Sequence, residues 1–310
     1  MKTNIDFDRK HQIQVGDEGV VKFRLRDIVA KPGKQIRLDR DFDPDFSGGF
    51  TDKSGAIEHV ADNVERLADL QSKLYAQDVH AVLIILQAMD AAGKDGAIRH
   101  VMSGVNPQGV HVTSFKAPSA EELDHDYLWR AARALPGRGM IGIFNRSYYE
   151  EVLVVRVHPE LLERQKLPRK SRGPGIWKHR FKEINNFEKY LFKNGIVVIK
   201  FFLNISYEEQ RKRFISRIDE PEKNWKFSTA DSKERAHWDE YQKAIQEMLK
   251  ATSTVSAPWF VIPANKKWFS RLAISEVICG HLERLDLKFP AVTDERRAEL
   301  QDIRKHLEAD

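Results

Sequence analysis

The stretch AVLIILQAMDAAGKDGAIRHV, residues 81–101, decides how the chain is read. Ala81 to Leu86 form an unbroken apolar run, too short for a membrane span and of the right length for a strand buried on both faces. A loop containing Gly93-Lys94 follows, and then a segment that can be helical. In a strand, loop and helix in this order, backbone N–H groups and a helix N-terminus point at an anion. The phosphate-binding pattern G-x-x-x-x-G-K-[ST] falls on Ala88 to Asp95, so Gly93 and Lys94 match while Ala88 and Asp95 depart from it. Asp90 and Asp95 would repel a polyphosphate unless a divalent cation lies between them. Mg²⁺, with Mn²⁺ as the alternative, accepts one or two carboxylates plus phosphate oxygens and water, so a loop holding metal and phosphate together is one reading. The other is a strand-to-helix turn in which Gly93 satisfies the backbone and Asp95 caps the helix.

Around this stretch, apolar runs at 110–115, 140–144, 196–203 and 259–262 alternate with helical segments, which predicts an α/β fold with a parallel sheet sandwiched by helices. Val60, Val64, Leu67, Leu70 and Leu74 recur at spacings of three and four and predict an amphipathic helix over 55–77. Ser119 before Glu122, Ser206 before Glu209 and Asp231 before Glu234 mark three helix starts. Residues 1–54, rich in Gly, Pro and charge, read as an irregular arm packed on a core spanning 55–290, and 291–310 as a terminal helix. The single cysteine, Cys279, excludes an internal disulfide framework, and the N-terminus lacks an apolar leader, so the expected location is cytoplasmic, with no membrane partner.

Three further clusters carry charge. After the run ending in Asn145 come Arg146, Glu150, Glu151 and Arg156, where phosphate-binding enzymes place an acidic strand-end residue. Asn145 is a weaker metal partner, which leaves Glu150 or Glu151 to compensate; a helix with surface Glu and Arg is the bland reading. Arg211, Arg213, Arg217, Lys223 and Lys226 sit on a capped helix and its loop, as in the Arg-bearing lids of nucleotide kinases, or as a solvated face with local ion pairs. Between Glu163 and Glu183 eight Lys and Arg occur with no acidic residue, against a net charge of +5 for the whole chain. That run suits a polyanion, with Lys178, Arg180 and Lys182 preferred as contacts. No nucleic-acid-binding motif accompanies it, so no nucleic-acid partner is expected.

Together these stretches, with LQAMDAAGKDGAIRHVMSGVNPQGVHVTSFKAPSAEELDHDYLWR, IGIFNRSYYEEVLVVRVHPE, KFFLNISYEEQRKRFISRIDEPEKNWKFSTAD and APWFVIPANKKWF, resemble the polyphosphate kinase 2 family, most closely its class III branch, over roughly residues 75–275. The resemblance implies a P-loop kinase fold, thymidylate-kinase-like, with a helical lid over about 206–234. It implies Mg²⁺-dependent, reversible transfer from inorganic polyphosphate to AMP and ADP, giving ADP and ATP, and a homo-oligomer, dimer or tetramer. Its phosphate loop falls on Asp90, Ala91, Ala92, Gly93, Lys94, Asp95 and Gly96, and its second motif on Asn145 and Arg146. Other branches carry aspartate where this chain has Asn145, so Asp90 ranks first as metal ligand and Glu150 second. Arg211 and Arg217 are the expected lid contacts, and Asn106, Lys116 and Arg130 the residues of the nucleoside end. An ATP-dependent nucleoside monophosphate kinase of similar fold and a non-catalytic polyanion-binding protein are the alternatives.

Overall fold

A computed structural model of the chain describes residues 10–15, 19–50 and 52–309. Strands β1 (Lys10–Val15) and β2 (Gly19–Arg24) form an antiparallel hairpin in register Lys10↔Arg24 to Val15↔Gly19. The main sheet comprises β3 (Val29–Ala30), β4 (Ala81–Ala88), β5 (Val110–Ser114), β6 (Ile141–Asn145), β7 (Ile196–Asn204) and β8 (Trp259–Pro263), in spatial order β3-β8-β7-β4-β6-β5. Strands β4 to β8 are mutually parallel and β3 joins antiparallel at the edge, so the expected parallel sheet gains one antiparallel strand.

The stretch 1–54 is therefore more than an irregular arm. Leu25, Ile28, Val29, Ala30, Ile36, Leu38 and Phe50 are buried in the common core, and Ser253 Oγ donates to Ala30 O. A two-residue strand offers no period for sequence to reveal.

The parallel strands are near-continuous apolar runs because helices cover both faces. The helix Ser54–Gln77 buries Ala56, Leu67 and Leu74 and keeps Val60, Val64 and Leu70 half-buried against the helix Lys267–Glu283. That second helix is apolar nearly all round, with Phe269, Leu272, Ala273, Ile274, Val277, Ile278, Cys279 and Leu282 buried, because it lies between its neighbour and the sheet. At roughly 1.5–3 kcal/mol for each fully buried large aliphatic side chain, this layer supplies much of the driving force for closing the sheet. No helix among the described residues is long and apolar enough to cross a membrane.

One polar group interrupts β7. Lys200 is fully buried, and its Nζ donates to Glu188 Oε2 (2.6 Å), Thr252 O (2.7 Å) and Tyr149 Oη (3.0 Å). Glu188, from the helix Ile176–Lys193, accepts from Tyr148 Oη (2.9 Å) and Tyr149 Oη (2.6 Å) through its other oxygen. Every lone pair that matters is used, which is the condition for tolerating a buried ion pair.

The chain runs from β4 to β5 at one edge, returns to β6 beside β4, and then builds β7 and β8 on the opposite side of β4. The strand order reverses at β4, which opens a crevice beyond its carboxyl end, where α/β proteins bind ligands.

Candidate active site

The loop after β4 lies in that crevice. Ala91 (φ 61°) and Gly93 (φ 106°) adopt left-handed backbone, and Gly93 opens the helix Lys94–Val101. Glycine meets this requirement without strain, whereas Ala91 pays roughly 1–2 kcal/mol for it. Alternation of hands around Ala92 makes a concave row of N–H groups, an anion-binding nest continued by the first turn of the helix, where the N–H groups of Lys94, Asp95 and Gly96 have no intrahelical acceptor.

Lys94 folds back and donates to Ala88 O (3.3 Å). Burial lowers its pKa from the ordinary lysine value, while the carboxylate of Asp90 beside it acts in the opposite direction. Asp95 is exposed and accepts from Asn145 Nδ2 (2.7 Å). Asn145 at the end of β6 thus orients a loop carboxylate, a role an aspartate there would turn into repulsion.

Arg146 follows, itself left-handed (φ 64°), with its N–H bonded to Leu86 O (3.1 Å). This strained backbone at the junction of two strands aims the guanidinium back over the loop. Its Nη2 donates to Asp90 Oδ1 (3.0 Å), and its Nη1 lies 3.8 Å from Glu150 Oε2. Glu150 is largely buried, and burial raises its carboxyl above the usual range against the pull of Arg146 and Lys94. The Gln87 amide, oriented to donate to Glu150 Oε1 (2.8 Å) and accept from Ser147 Oγ (3.1 Å), closes the set from below.

A cavity of about 240 Å³ opens behind the loop, lined among others by Asp90, Arg146, Glu150, Asp231, Glu234 and Arg235. Asp231 and Glu234 come from the lid helix Thr229–Glu234. Burial, and next Asp90 across the cavity, raise the Asp231 carboxyl. Asp231 does not cap this helix as expected: Ser228 is the N-cap, accepting from Ala230 N (3.1 Å), and Asp231 is the third helical residue of the box. The Ser119–Glu122 box forms in both directions (2.8 and 3.2 Å). Ser206 accepts from Glu209 N (3.2 Å), but the Glu209 carboxylate turns instead to Arg213.

The lid arginines sort by helical phase on Tyr207–Asp219. Arg211 is exposed and, among the described residues, bonds Glu208 of its own turn (3.0 and 3.1 Å) and no residue of the loop. Arg217 reaches Asp231 Oδ2 at 3.5 Å and so borders the cavity. Arg213 and Gln210, which sequence reasoning did not select, touch the loop directly. Phe214, buried on the same helix, marks the inner face and would have set the phase.

Other expected residues divide between the two ends of the sheet. Lys116 follows β5, and its carbonyl accepts from Arg130 Nη1 (2.8 Å), so both stand at the carboxyl edge. Arg130 also stacks over Phe115 (5.2 Å). Asn106 does not belong with them. It precedes β5 and caps the short turn before that strand, accepting from Gln108 N (3.0 Å). Five strand residues at about 3.3 Å each place it roughly 16 Å from the loop's edge of the sheet. Arg156 pairs with Glu247 (2.7 Å) and bonds no loop residue.

In the basic run, Lys178 and Lys182 are exposed, whereas Arg180 is buried. Arg180 donates to Glu151 (2.9 Å), Glu183 (3.1 Å) and Gln165 (3.2 Å), and lies over the Tyr127 ring (4.3 Å). Buried, and with three of its five N–H groups bonded within the protein, it serves as a structural clamp. Glu151, held in that clamp, is excluded from the loop's charge cluster on the same ground.

As for metal, no group of three His, Cys, Asp or Glu among the described residues could hold an ion. Arg146 stands between the two expected ligands, 3.0 Å from Asp90 Oδ1 and 3.8 Å from Glu150 Oε2. Asp90 and Asp95 are the carboxylates of the loop itself, the first bonded by Arg146 and the second by Asn145.

Comparison with known proteins gives a consistent result. The family model described as polyphosphate kinase 2 matches residues 51–290. An ADP-polyphosphate phosphotransferase of Rhodopseudomonas palustris is 55% identical over 259 residues, 83% of this chain and 90% of that protein. An AMP/ADP-polyphosphate phosphotransferase of Meiothermus ruber is 45% identical over 267 residues, 86% and 96% of the two chains. A crystal structure of polyphosphate kinase 2 from Arthrobacter aurescens superposes with a TM-score of 0.79 at 39% identity, covering 88% of this chain and 98% of that one.

Proposed function

The chain belongs to the polyphosphate kinase 2 family, and from that premise we propose that it moves phosphoryl groups between inorganic polyphosphate and adenine nucleotides, taking AMP to ADP and ADP to ATP. The observation that carries the reading is the convergence of Lys94, Arg146 and the nest of the 90–96 loop on one crevice. Phosphoryl transfer asks a protein chiefly for positioning and charge neutralisation. The loop N–H groups hold a phosphate chain in place, Lys94 supplies a point charge to it, and Arg146, anchored by Asp90 and Glu150, reaches the same oxygens from β6. Arg217, Lys178 and Lys182 extend positive charge along the lid and the neighbouring helix, and Lys116 and Arg130 border the nucleotide end.

A divalent cation fits this donor set. Mg²⁺ keeps much of its water and takes one or two carboxylates with substrate phosphates, so Asp90 and Asp95 suffice and a cage is not required; Mn²⁺ suits the same oxygens. When bound, it neutralises the phosphate charge that the two aspartates would otherwise repel. The lid over 206–234 closes the crevice against water on this reading. A homo-oligomer, dimer or tetramer, and the absence of nucleic-acid and membrane partners belong to the same proposal.

Exchanging the donor tests it. Purified protein with Mg²⁺ and AMP should form ADP when given polyphosphate and not when given ATP alone. Turnover with ATP only would make it a nucleoside monophosphate kinase, and turnover with neither would leave a polyanion-binding protein.

A further inference from the structure

Three successive carbonyls of the phosphate loop are held from behind by one helix. Gln210 Nε2 donates to Asp90 O (3.1 Å), and Arg213 Nη1 donates to Ala91 O (3.0 Å) and Ala92 O (2.9 Å). Arg213 Nη2 donates to Ala264 O (2.6 Å) and Asn265 O (3.0 Å) beyond β8, and its Nε to Glu209 Oε1 (2.8 Å). The side chain is only 9% exposed, and all five of its N–H groups are used.

In a trans peptide the carbonyl and the following N–H point in opposite directions. Turning the carbonyls of residues 90 and 92 toward Gln210 and Arg213 therefore turns the N–H groups of Ala91 and Gly93 the other way, toward the crevice. The Ala92 N–H is donated within the loop to Met89 O (3.4 Å), and the residues on either side of it, Ala91 and Gly93, are the two with left-handed backbone. The unfavourable backbone at Ala91 persists only where the surroundings over-determine it, and Arg213 supplies that constraint.

We infer that Arg213 is a positioning residue that pre-forms the phosphate cradle and ties it to the root of the lid. It touches no substrate, and its guanidinium fork cannot be replaced by an ammonium, which has three donors and no fixed geometry. The helix Tyr207–Asp219, the first part of the expected lid, is thereby bolted to the loop. The inference rests on the phosphate-handling reading of the loop but concerns a residue outside the expected contacts.

The test separates the two. In Arg213→Ala the KM for polyphosphate should rise about tenfold to a hundredfold, as expected for losing charge-assisted bonds that order the loop, with kcat less affected. Guanidinium chloride at tens of millimolar should restore most of the loss, and sodium chloride at equal ionic strength should not. An unchanged KM, or a loss that guanidinium does not reverse in protein of native circular dichroism, overturns the inference. Should Arg213→Ala not fold, Arg213→Lys is read by calorimetric binding of tripolyphosphate: weakened binding supports the role and wild-type binding refutes it. Because that binding needs no turnover, a wild-type protein that binds tripolyphosphate but makes no ATP would sink the proposed activity while leaving Arg213 testable.

Discussion

Replacing Lys200 by Met should be among the most damaging single changes in the core. Lys200 is fully buried in the middle of β7, 2.6 Å from Glu188, whose second oxygen holds Tyr148 and Tyr149. Methionine fills nearly the same volume, so little of the effect arises from a cavity. What remains is a carboxylate at 1% exposure without its cation, and breaking a buried pair from one side costs about 3–5 kcal/mol. With an unfolding entropy near 2.1 cal/mol/K per residue, a 310-residue chain would lose about 5–8 °C in Tm. Urea unfolding followed by tryptophan fluorescence measures this directly, because Trp259 packs on Tyr149 at 4.7 Å. Lys200→Met combined with Glu188→Gln should recover part of the loss, since the uncompensated charge is gone. Tyr148 and Tyr149 adjoin Ser147 and Arg146, so the single variant should also lower turnover more than its residual fold would suggest. A loss below about 1 kcal/mol, or strictly additive single variants, would refute this account of the pair.

Two other outcomes follow from the same geometry. Asp90→Asn should weaken the dependence of activity on Mg²⁺ concentration and loosen Arg146, whereas Glu151→Gln, which loses a partner of buried Arg180, should lower stability with little change in metal dependence; metal titrations of the two variants decide. His281, buried in the helix Lys267–Glu283 with its Nδ1 toward Val277 O, has its pKa pushed down by burial to about 4 from 6.5. The unfolded chain therefore binds the extra proton first, so this group's stability contribution is complete above pH 6.5 and is lost as pH falls toward 4, by about 3 kcal/mol at 1.36 kcal/mol per pH unit. His281→Leu should flatten that acid limb in urea titrations at pH 7 and pH 4.5, and an unchanged limb would contradict the assignment.

How much was legible in the sequence depended on whether the determinants were local. Parallel strands announce themselves as apolar runs, so β4 to β8 stand within two residues of where periodicity puts them. That a loop with Gly93 would lead from strand to helix was also readable, because strand, loop and helix follow one another directly in sequence. Arg180 was not: eight cations between Glu163 and Glu183 with no acidic residue among them look solvated, and only the fold brings Glu151, Gln165 and Tyr127 to it. Asn106 failed because sequence does not say which end of a strand a loop occupies relative to a site. Arg213 lay within reach, since Phe214 fixes the inner face of its helix and the i, i+3, i+4 rule then places Gln210, Arg213 and Phe214 together. Lys200 was also signalled, as a lysine inside IVVIKFFLN implies a buried partner even though it does not name Glu188.

The central claim is tested most directly by following ATP formation from ADP and polyphosphate with Mg²⁺, in the wild-type protein and in Lys94→Ala of matched circular dichroism and Tm. The account predicts steady ATP production by the wild type and its loss, by about a hundredfold or more, in the variant. ATP production at the wild-type rate by folded Lys94→Ala, or none by the wild type, would contradict it.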